Sequence, residues 1–218
     1  NRNLRAQTAT HYEVGTKGRL GSWLEYEVAA FYIDIEDELL PFTQAFTTFY
    51  ENAKRSERVG VEVGVAAQLH RDWRLRASYT HSHFEFDEFT DGNGNVLDGN
   101  RLPGIPANMA NLAIEYRGGC GLFATGELHY VDSRLADNLN TARADDYWLA
   151  NLRGGYEWTR GDWTVTGFVG VNNLTDEDYI DNLRINAGFG RYFEPAPEIN
   201  VYGGLSISNA TNVLAPYE

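Results

Sequence analysis

The chain has 218 residues, of which 43% are hydrophobic, 13% aromatic and 22% charged, with a formal net charge of −13 and a mean hydropathy of −0.43. The length is a soft prior for one or two domains, the aromatic content excludes a disordered tail, and the 22 glycines have no triplet period. The acidic balance argues against nucleic acid as a partner, and a single cysteine excludes an internal disulfide framework or a cysteine-rich zinc site.

The longest apolar run, Val28 to Ile33, falls far short of the about 20 residues a membrane-spanning helix needs. No basic stretch leads into an apolar segment after Asn1, so no signal peptide is legible. What organises the chain is a period of two. In chain order it predicts strands over Thr8–Gly18, Trp23–Asp37, Asn52–Leu69, Trp73–Glu85, Asn108–Arg117, Leu122–Arg134, Tyr147–Trp158, Trp163–Leu174 and Ile199–Ser208. In the third, Val59, Val61, Val63, Val65, Ala67 and Leu69 alternate with Arg58, Gly60, Glu62, Gly64, Ala66 and Gln68. Leu75, Ala77 and Tyr79 alternate in the fourth, Ala110, Leu112, Ile114 and Tyr116 in the fifth, and Leu122, Ala124, Gly126, Leu128 and Tyr130 in the sixth. Val165, Gly167, Val169 and Val171, then Val201, Gly203, Leu205 and Ile207, repeat the pattern near the end. No segment has a 3.6 period, so the chain is all-β.

These strands are long. Arg58 to Leu69, at about 3.3 Å per residue and tilted by about 45°, climbs roughly 25 Å, the height of the apolar band of a transmembrane β-barrel. The connections alternate in length. Short turns at Leu20–Ser22, His70–Asp72, Gly118–Gly121 and Arg160–Asp162 separate longer stretches at Pro41–Tyr50, Glu88–Ala107, Arg134–Asp146 and Thr175–Glu198. Short periplasmic turns and long extracellular loops are the barrel signature. Trp23, Trp73, Trp158 and Trp163 all sit beside the short turns, where an indole meets the membrane–water boundary. The competing reading is a sandwich whose core tryptophans lie near turns. About nine such strands is an odd number, whereas bacterial single-chain barrels have an even one, which suggests a piece of a larger barrel.

Five segments then carry a resemblance. The run from Gly170 to Tyr179 (GVNNLTDEDY) resembles the NL-x-D-x-x-Y strand end of TonB-dependent outer-membrane receptors. Gly190 to Pro197 and Asn200 to Leu205 resemble that family's following loop and last strand. Tyr12 to Gly18 resembles its YE-x-G-x-K strand, Glu51-Asn52 with Gly60-Val61-Glu62 its N…G-x-E strand, and Arg101 to Pro106 the loop into the next strand. The match runs in family order from Thr8 to Ile207. It departs at Glu198-Ile199, where the family often has Gly-Arg, and past Asn209, where the family usually ends on an aromatic; here Tyr217 is next to last.

The resemblance implies an antiparallel transmembrane β-barrel segment, the last strands of a 22-stranded barrel whose lumen holds a plug. Residues 1–208 would be barrel and 209–218 an extension. Plug, TonB-contacting box and signal peptide are expected before Asn1. The implied function is part of an active-transport receptor in the outer membrane of a Gram-negative bacterium, with lipid, lipopolysaccharide and, through the plug, the TonB complex as partners. The implied ligand is a ferric siderophore or another scarce solute. A small barrel enzyme, such as a lipase or protease, an adhesin-like binding barrel and a secreted β-sandwich binding module are the alternatives.

Ligand contacts are expected in the loops. Pro41 to Tyr50 holds Phe42, Phe46, Phe49 and Tyr50 with almost no charge, and Arg101, Arg134, Arg184 and Arg191 lie in or beside the long loops. Aromatic faces and guanidinium donors suit anionic, partly aromatic chelates; Phe46, Phe49, Arg134, Arg184 and Arg191 are the candidate contacts. The bland reading packs the same residues loop against loop. No catalytic residue, resident metal or cofactor is expected. His81 and His83 share a strand face but lack an evident third ligand. Asp91 to Asp98 starts like a calcium loop but has Val96 at the sixth place and Leu102 at the twelfth. Arg160-Gly161-Asp162 reads as a tight turn, and no G-x-S-x-G nucleophile motif occurs.

Overall fold

A computed structural model describes residues 3–44 and 47–209, without the side chains of 42–44. The first four strands, β1 (Thr8–Leu20), β2 (Leu24–Gln44), β3 (Thr47–His70) and β4 (Trp73–Glu88), are consecutive hairpins. β5 (Asn108–Arg117) and β6 (Leu122–Val131) follow, then a small ribbon of β7 (Arg134–Leu135) and β8 (Arg143–Ala144). β9 (Tyr147–Arg160) and β10 (Trp163–Asn172) form the next hairpin. A second ribbon, β11 (Ile180–Leu183) and β12 (Phe193–Pro195), flanks a 3-10 turn at Gly188–Gly190 and precedes β13 (Asn200–Asn209).

Nine of these strands form one antiparallel sheet in the order β1-β2-β3-β4-β5-β6-β9-β10-β13. All nine expected strands are present, each beside its successor in the chain. The sheet is open, because β1 and β13 lie at its two edges.

The register carries the alternation across the whole sheet. Val14 stands opposite Ala30, Ala30 opposite Val61, and Val61 opposite His81; lower down, Val63 faces Tyr79, which faces Ala110, which faces Tyr130. Directly paired residues point to the same side, so most valines, leucines and tyrosines of the sheet collect on one face, with Leu149 and Tyr202 among the exceptions. That face has no protein cover: Val14 is 74% exposed, Val201 70% and Leu205 70%. A soluble sheet would bury it, since a patch this large in water drives association.

Two aromatic rows border it. Trp23, Trp73, Tyr116, Tyr156, Trp158 and Trp163 lie at the short-turn end, with Trp73 and Tyr116 4.9 Å apart between ring centres. Tyr12, Tyr32, Tyr79, Tyr130 and Trp148 lie toward the long-loop end, with Tyr130 and Trp148 4.7 Å apart. Above this row the same face turns charged. Arg55 bonds Asp34 at 2.8 Å and Asp87 at 2.9 Å, and Tyr32 donates to Glu57 at 3.0 Å. His83 Nε2 sits 3.1 Å from Glu85, and His81 Nδ1 3.0 Å from Asn108.

The opposite face is polar, with aromatic rings laid over glycines. Arg76 pairs with Glu115 at 2.5 Å, His129 Nδ1 lies 2.6 Å from Asn111, and Arg153 stacks over Phe168 at 4.1 Å. A Cβ on Gly155 would fall 2.4 Å from the Phe123 ring and 2.4 Å from the Gly167 carbonyl oxygen. Glycine is required there by close approach, not by turn geometry. In the β9–β10 turn the reason is conformational: Gly161 has φ 59, which two-residue hairpin turns favour.

One sequence expectation is corrected. Pro41–Tyr50 is not an irregular loop; β2 and β3 continue as a ribbon with Pro41 opposite Tyr50 and Phe42 opposite Phe49. Proline argues against a central strand because it lacks an N–H. Pairing of β1 to β2 stops at Thr8 opposite Glu36, so Pro41 lies where β2 has become an edge. The predicted strand end at Asp37 marks a real break in alternation. Asp37 has φ 55, and beyond it Glu38, not an odd-numbered residue, joins Ser56 on the buried side.

Candidate functional site

The hydrophobic core of the described residues sits at the loop end of the sheet, on the upper parts of β2, β3 and β4 and on the segment after β4. Ala53, Phe86, Phe89, Leu97 and Leu102 are buried together, with Leu40 and Phe84 packed against them, and Phe86 and Phe89 lie 4.9 Å apart. These side chains fold the segment after β4 back onto the tall β2–β4 hairpins. Polar bonds fix it: Phe89 N donates to the Asp98 carboxylate at 2.9 Å, and Leu97 N to the Phe89 carbonyl at 2.8 Å. The calcium-like run Asp91 to Asp98 is thereby explained. Asp91 accepts the backbone N–H groups of Asn93 and Asn95, each at 2.9 Å, and closes its own turn. Burial alone would raise the Asp91 carboxyl, but the donors of Asn95 and Asn93 outweigh it and hold it below its ordinary value. Glu51, which accepts Gly92 N, moves the other way because burial dominates there.

The long connections are locked to each other by asparagine side chains. Asn140, at φ 59, accepts from Arg101 N at 2.8 Å and donates to the Arg101 carbonyl at 2.8 Å. Asn100 donates to the Asn138 carbonyl at 2.9 Å. Asn186, at φ 53, accepts from Asn138 N at 2.9 Å and donates to Asn138 Oδ1 at 3.1 Å and to the Pro41 carbonyl at 3.2 Å. Asp137, buried, accepts from Thr141 N at 2.8 Å and from its hydroxyl at 2.5 Å. The segment after β4, the β7–β8 ribbon, the β11–β12 region and the β2–β3 ribbon thus form one connected tier. Asn138, Asn140 and Asn186 were not singled out from sequence. Their only signal there is a clustering of asparagine, which tolerates positive φ and bonds backbone groups locally.

The GVNNLTDEDY run is a structural turn. Asn173 is buried at φ 52; it accepts from Glu177 N at 2.8 Å and donates to the Glu177 carbonyl at 2.9 Å. Asp176 accepts from Ile199 N at 3.0 Å, beside the start of β13, and Tyr179 stacks on Tyr147 at 4.6 Å.

The candidate ligand contacts are not gathered at one point. Phe46 lies outside the described residues. Phe49 is 40% exposed on the β2–β3 ribbon. Arg134 is committed to its neighbours: Nη1 donates to the Asp181 carbonyl at 3.1 Å, Nη2 to that of Ile180, and the guanidinium lies 5.8 Å from the Tyr147 ring centre. Arg184 is exposed, with Nε 3.7 Å from a Glu194 oxygen. Arg191 is exposed and has no ion-pair partner among the described residues. Among those residues no group of three or more His, Cys, Asp or Glu is placed to hold a metal. One half-open cavity of about 180 Å³ lies under the tier, lined by Glu38, Leu40, Pro41, Arg58, Phe84 and Leu102, with Pro103, Ile105, Asn138, Ile185 and Asn186 completing it.

An uncovered apolar face between two aromatic rows, with short turns at one end and interlocked loops at the other, defines a transmembrane β-barrel wall. Comparison with known proteins agrees. Residues 1–174 match the family described as TonB dependent receptor-like, beta-barrel, and the chain belongs to that family. It is 29% identical over 188 residues to the ferrioxamine receptor of Yersinia enterocolitica, covering 81% of this chain and 25% of that protein. It is 28% identical over 136 residues to the ferrioxamine B receptor of Salmonella typhimurium, covering 60% of this chain and 19% of that protein. Among solved structures, the unliganded ferric citrate transporter FecA superposes with a TM-score of 0.77 at 21% identity, over 92% of this chain and 31% of that one. The siderophore receptor PiuA from Acinetobacter baumannii gives 0.74 at 22% identity, over 92% and 28%. The chain spans about a quarter of the length of the first of these relatives.

Proposed function

We propose that this chain supplies nine wall strands and the outer loops of an energy-coupled receptor for ferric siderophores in the outer membrane of a Gram-negative bacterium. The observation that carries the reading is the division of one sheet into a bare apolar face and a polar face capped by a locked loop tier, in a chain of this receptor family. The apolar face meets lipid and the polar face lines a lumen. Unpaired strand edges are excluded from lipid, so β1 and β13 would pair with further strands of a closed barrel. A plug in that lumen, worked by the TonB complex, would gate passage. The charged rim around Arg55, with Arg5 paired to Asp37 at 2.6 Å and Lys54 paired to Glu88, would meet lipopolysaccharide head groups.

An iron chelate is the favoured ligand because the curated relatives at up to 29% identity are named ferrioxamine receptors. Phe49, Arg184 and Arg191, with Phe46, would offer stacking and anion contacts, while Arg134 holds the loops that present them. The chain does no chemistry on the ligand. The test uses the complete receptor: Arg191→Ala and Phe49→Ala should each weaken binding of a ferric siderophore by about 1–3 kcal/mol. Failure to bind any chelate in a broad panel, with growth under iron starvation unchanged on deletion, discards the iron reading.

A further inference from the structure

The polar face of the sheet carries two guanidinium groups that are held in place but not neutralised. Arg117, Phe123, Gly155, Phe168 and Gly204 form one cross-strand row from β5 to β13, each opposite the next. Glycine alternates with phenylalanine in that row, so each ring lies over the glycine beside it. A Cβ on Gly155 would stand 2.4 Å from the Phe123 ring, and one on Gly204 2.6 Å from the Phe168 ring. Arg153, opposite Thr125 and Gly170 in the next row, places its guanidinium 4.1 Å from the Phe168 ring centre and 5.9 Å from that of Phe123. Arg117 reaches the Phe123 ring as well, at 5.8 Å. A ring orients a guanidinium through its quadrupole but leaves its charge and its N–H donors available. Neither arginine has an ion pair or a hydrogen bond among the described residues.

Both border a half-open hollow of about 300 Å³, lined also by Arg76, Glu115 and Glu127. Arg76 is spent on Glu115 at 2.5 Å, so two cations are left against one anion. The hollow over β1 to β4 is the reverse: Glu13, Glu27 and Glu62 line it, with Lys17 the one cation among the described residues there. One face thus has an acidic side and a basic side, and a charged body laid against it is turned by that field.

We propose that Arg117 and Arg153 form a docking site for an aspartate or glutamate side chain of the domain that fills the lumen. The inference rests on the receptor reading above and deepens it by naming the chemistry of the polar face's partner. A carboxylate matches the guanidinium fork and takes charge-assisted bonds from it. Because the rings already hold the arginines, little ordering is left to be done on docking. The hollow is at the low end of ligand-sized volumes, so it takes a side chain rather than a whole ferric chelate. Its place agrees with this: Arg117 ends β5 at the short turn, at the far end of the wall from the loops where a solute arrives. Glu13, Glu27 and Glu62 repel the same acidic segment, so the wall sets which way the domain faces.

The experiment uses the complete receptor in detergent. Arg117→Lys and Arg153→Lys each keep the positive charge and supply an amine. A water-soluble carbodiimide activates a carboxylate, the amine attacks the carboxyl carbon, an amide bond forms, and the reagent leaves as its urea with the carboxylate oxygen. Proteolysis and mass spectrometry read the joined peptides. Each variant should give a cross-link, absent from wild type, to an Asp or Glu of a peptide outside residues 1–218. In planar bilayers the double variant Arg117→Gln with Arg153→Gln should raise the frequency of open-pore events about tenfold or more, while Arg153→Lys stays within about threefold of wild type, with heat-modifiable migration unchanged. Cross-links confined to residues 1–218, or none at either position in folded protein, overturn the docking site while the receptor reading stands. So does an amine that couples only to citrate when ferric citrate is added, which makes the pair a solute site. A wild type that conducts as a permanently open pore, with iron-starved growth unaffected by deletion, overturns the receptor reading and the docking site with it.

Discussion

The wall and the loop tier solve the same problem, satisfying backbone and side chains, by opposite means. In the wall each residue's partner follows from counting along two strands. Val63 meets Val28 on one side and Tyr79 on the other because the register runs unbroken from Ser56 to Ala67 against β2 and from Ser56 to Gln68 against β4. In the tier partners are far apart in sequence and chosen one by one, as when Asn186 bonds Pro41 across 145 positions. The wall needs no protein core, since its apolar face is turned to lipid. The tier has water above it and must build its own core, which is why the largest fully buried side chains among the described residues, Phe86 and Phe89, lie there. The difference teaches that the large buried aromatic side chains collect at the loop end, while the apolar face of the wall is left without protein cover.

The largest break in that contrast should come from charge on the lipid side. In the complete barrel Val63→Arg should cost roughly 2–4 kcal/mol, as for an arginine near the bilayer midplane. Glu62→Arg, one residue away on the polar face, should cost under about 1 kcal/mol. Urea unfolding in lipid vesicles measures both, and equal costs would erase the distinction between faces. Next, Gly155→Leu should destabilise the wall by about 1–3 kcal/mol, because Phe123 and the Gly167 carbonyl occupy the space, each 2.4 Å from the new Cβ. Gly126→Ala, whose Cβ would meet only Ile114 at 3.6 Å, should be tolerated.

In the tier, Asn186→Ala removes bonds to Asn138 and Pro41. It should loosen the loops by about 1–3 kcal/mol, seen as faster amide exchange at Asn138, and leave the wall's unfolding unchanged. Coupled loss of wall stability would show that the two regions are not separate. The smallest effect should come from pH. Asp91 and Asp132 are both held below the ordinary 3.8, despite burial that by itself would raise them, by donors from Asn95 and Asn93 and from Asn108 and Ser133. A depressed carboxyl stabilises the fold above its unfolded value and loses that contribution as pH falls through its folded value. Exchange at the Asn93 and Asn95 amides should therefore quicken as pH drops below 3.8, corrected for intrinsic rates, and Asp91→Asn should abolish that change.

The sequence by itself determined the wall. A period of two read from Val59 to Leu69 assigns every residue to a face, and tryptophans beside short turns mark a membrane boundary, because both signals are local and repeat. Strand number followed from the period of two, and the antiparallel barrel wall from short turns alternating with long loops. The tertiary structure alone decided the tier. Pro41 reads as a breaker until the end of β1 leaves β2 an edge. Asp91 to Asp98 reads as a failed calcium loop until its carboxylates are seen closing a turn. Arg134 reads as a free cation until the carbonyls of Ile180 and Asp181 arrive beside it. Asn138, Asn140 and Asn186 carry no periodicity at all. Their partners are set by where loops from separate hairpins meet in space, and a single asparagine bonding a distant carbonyl leaves no pattern in the chain around it.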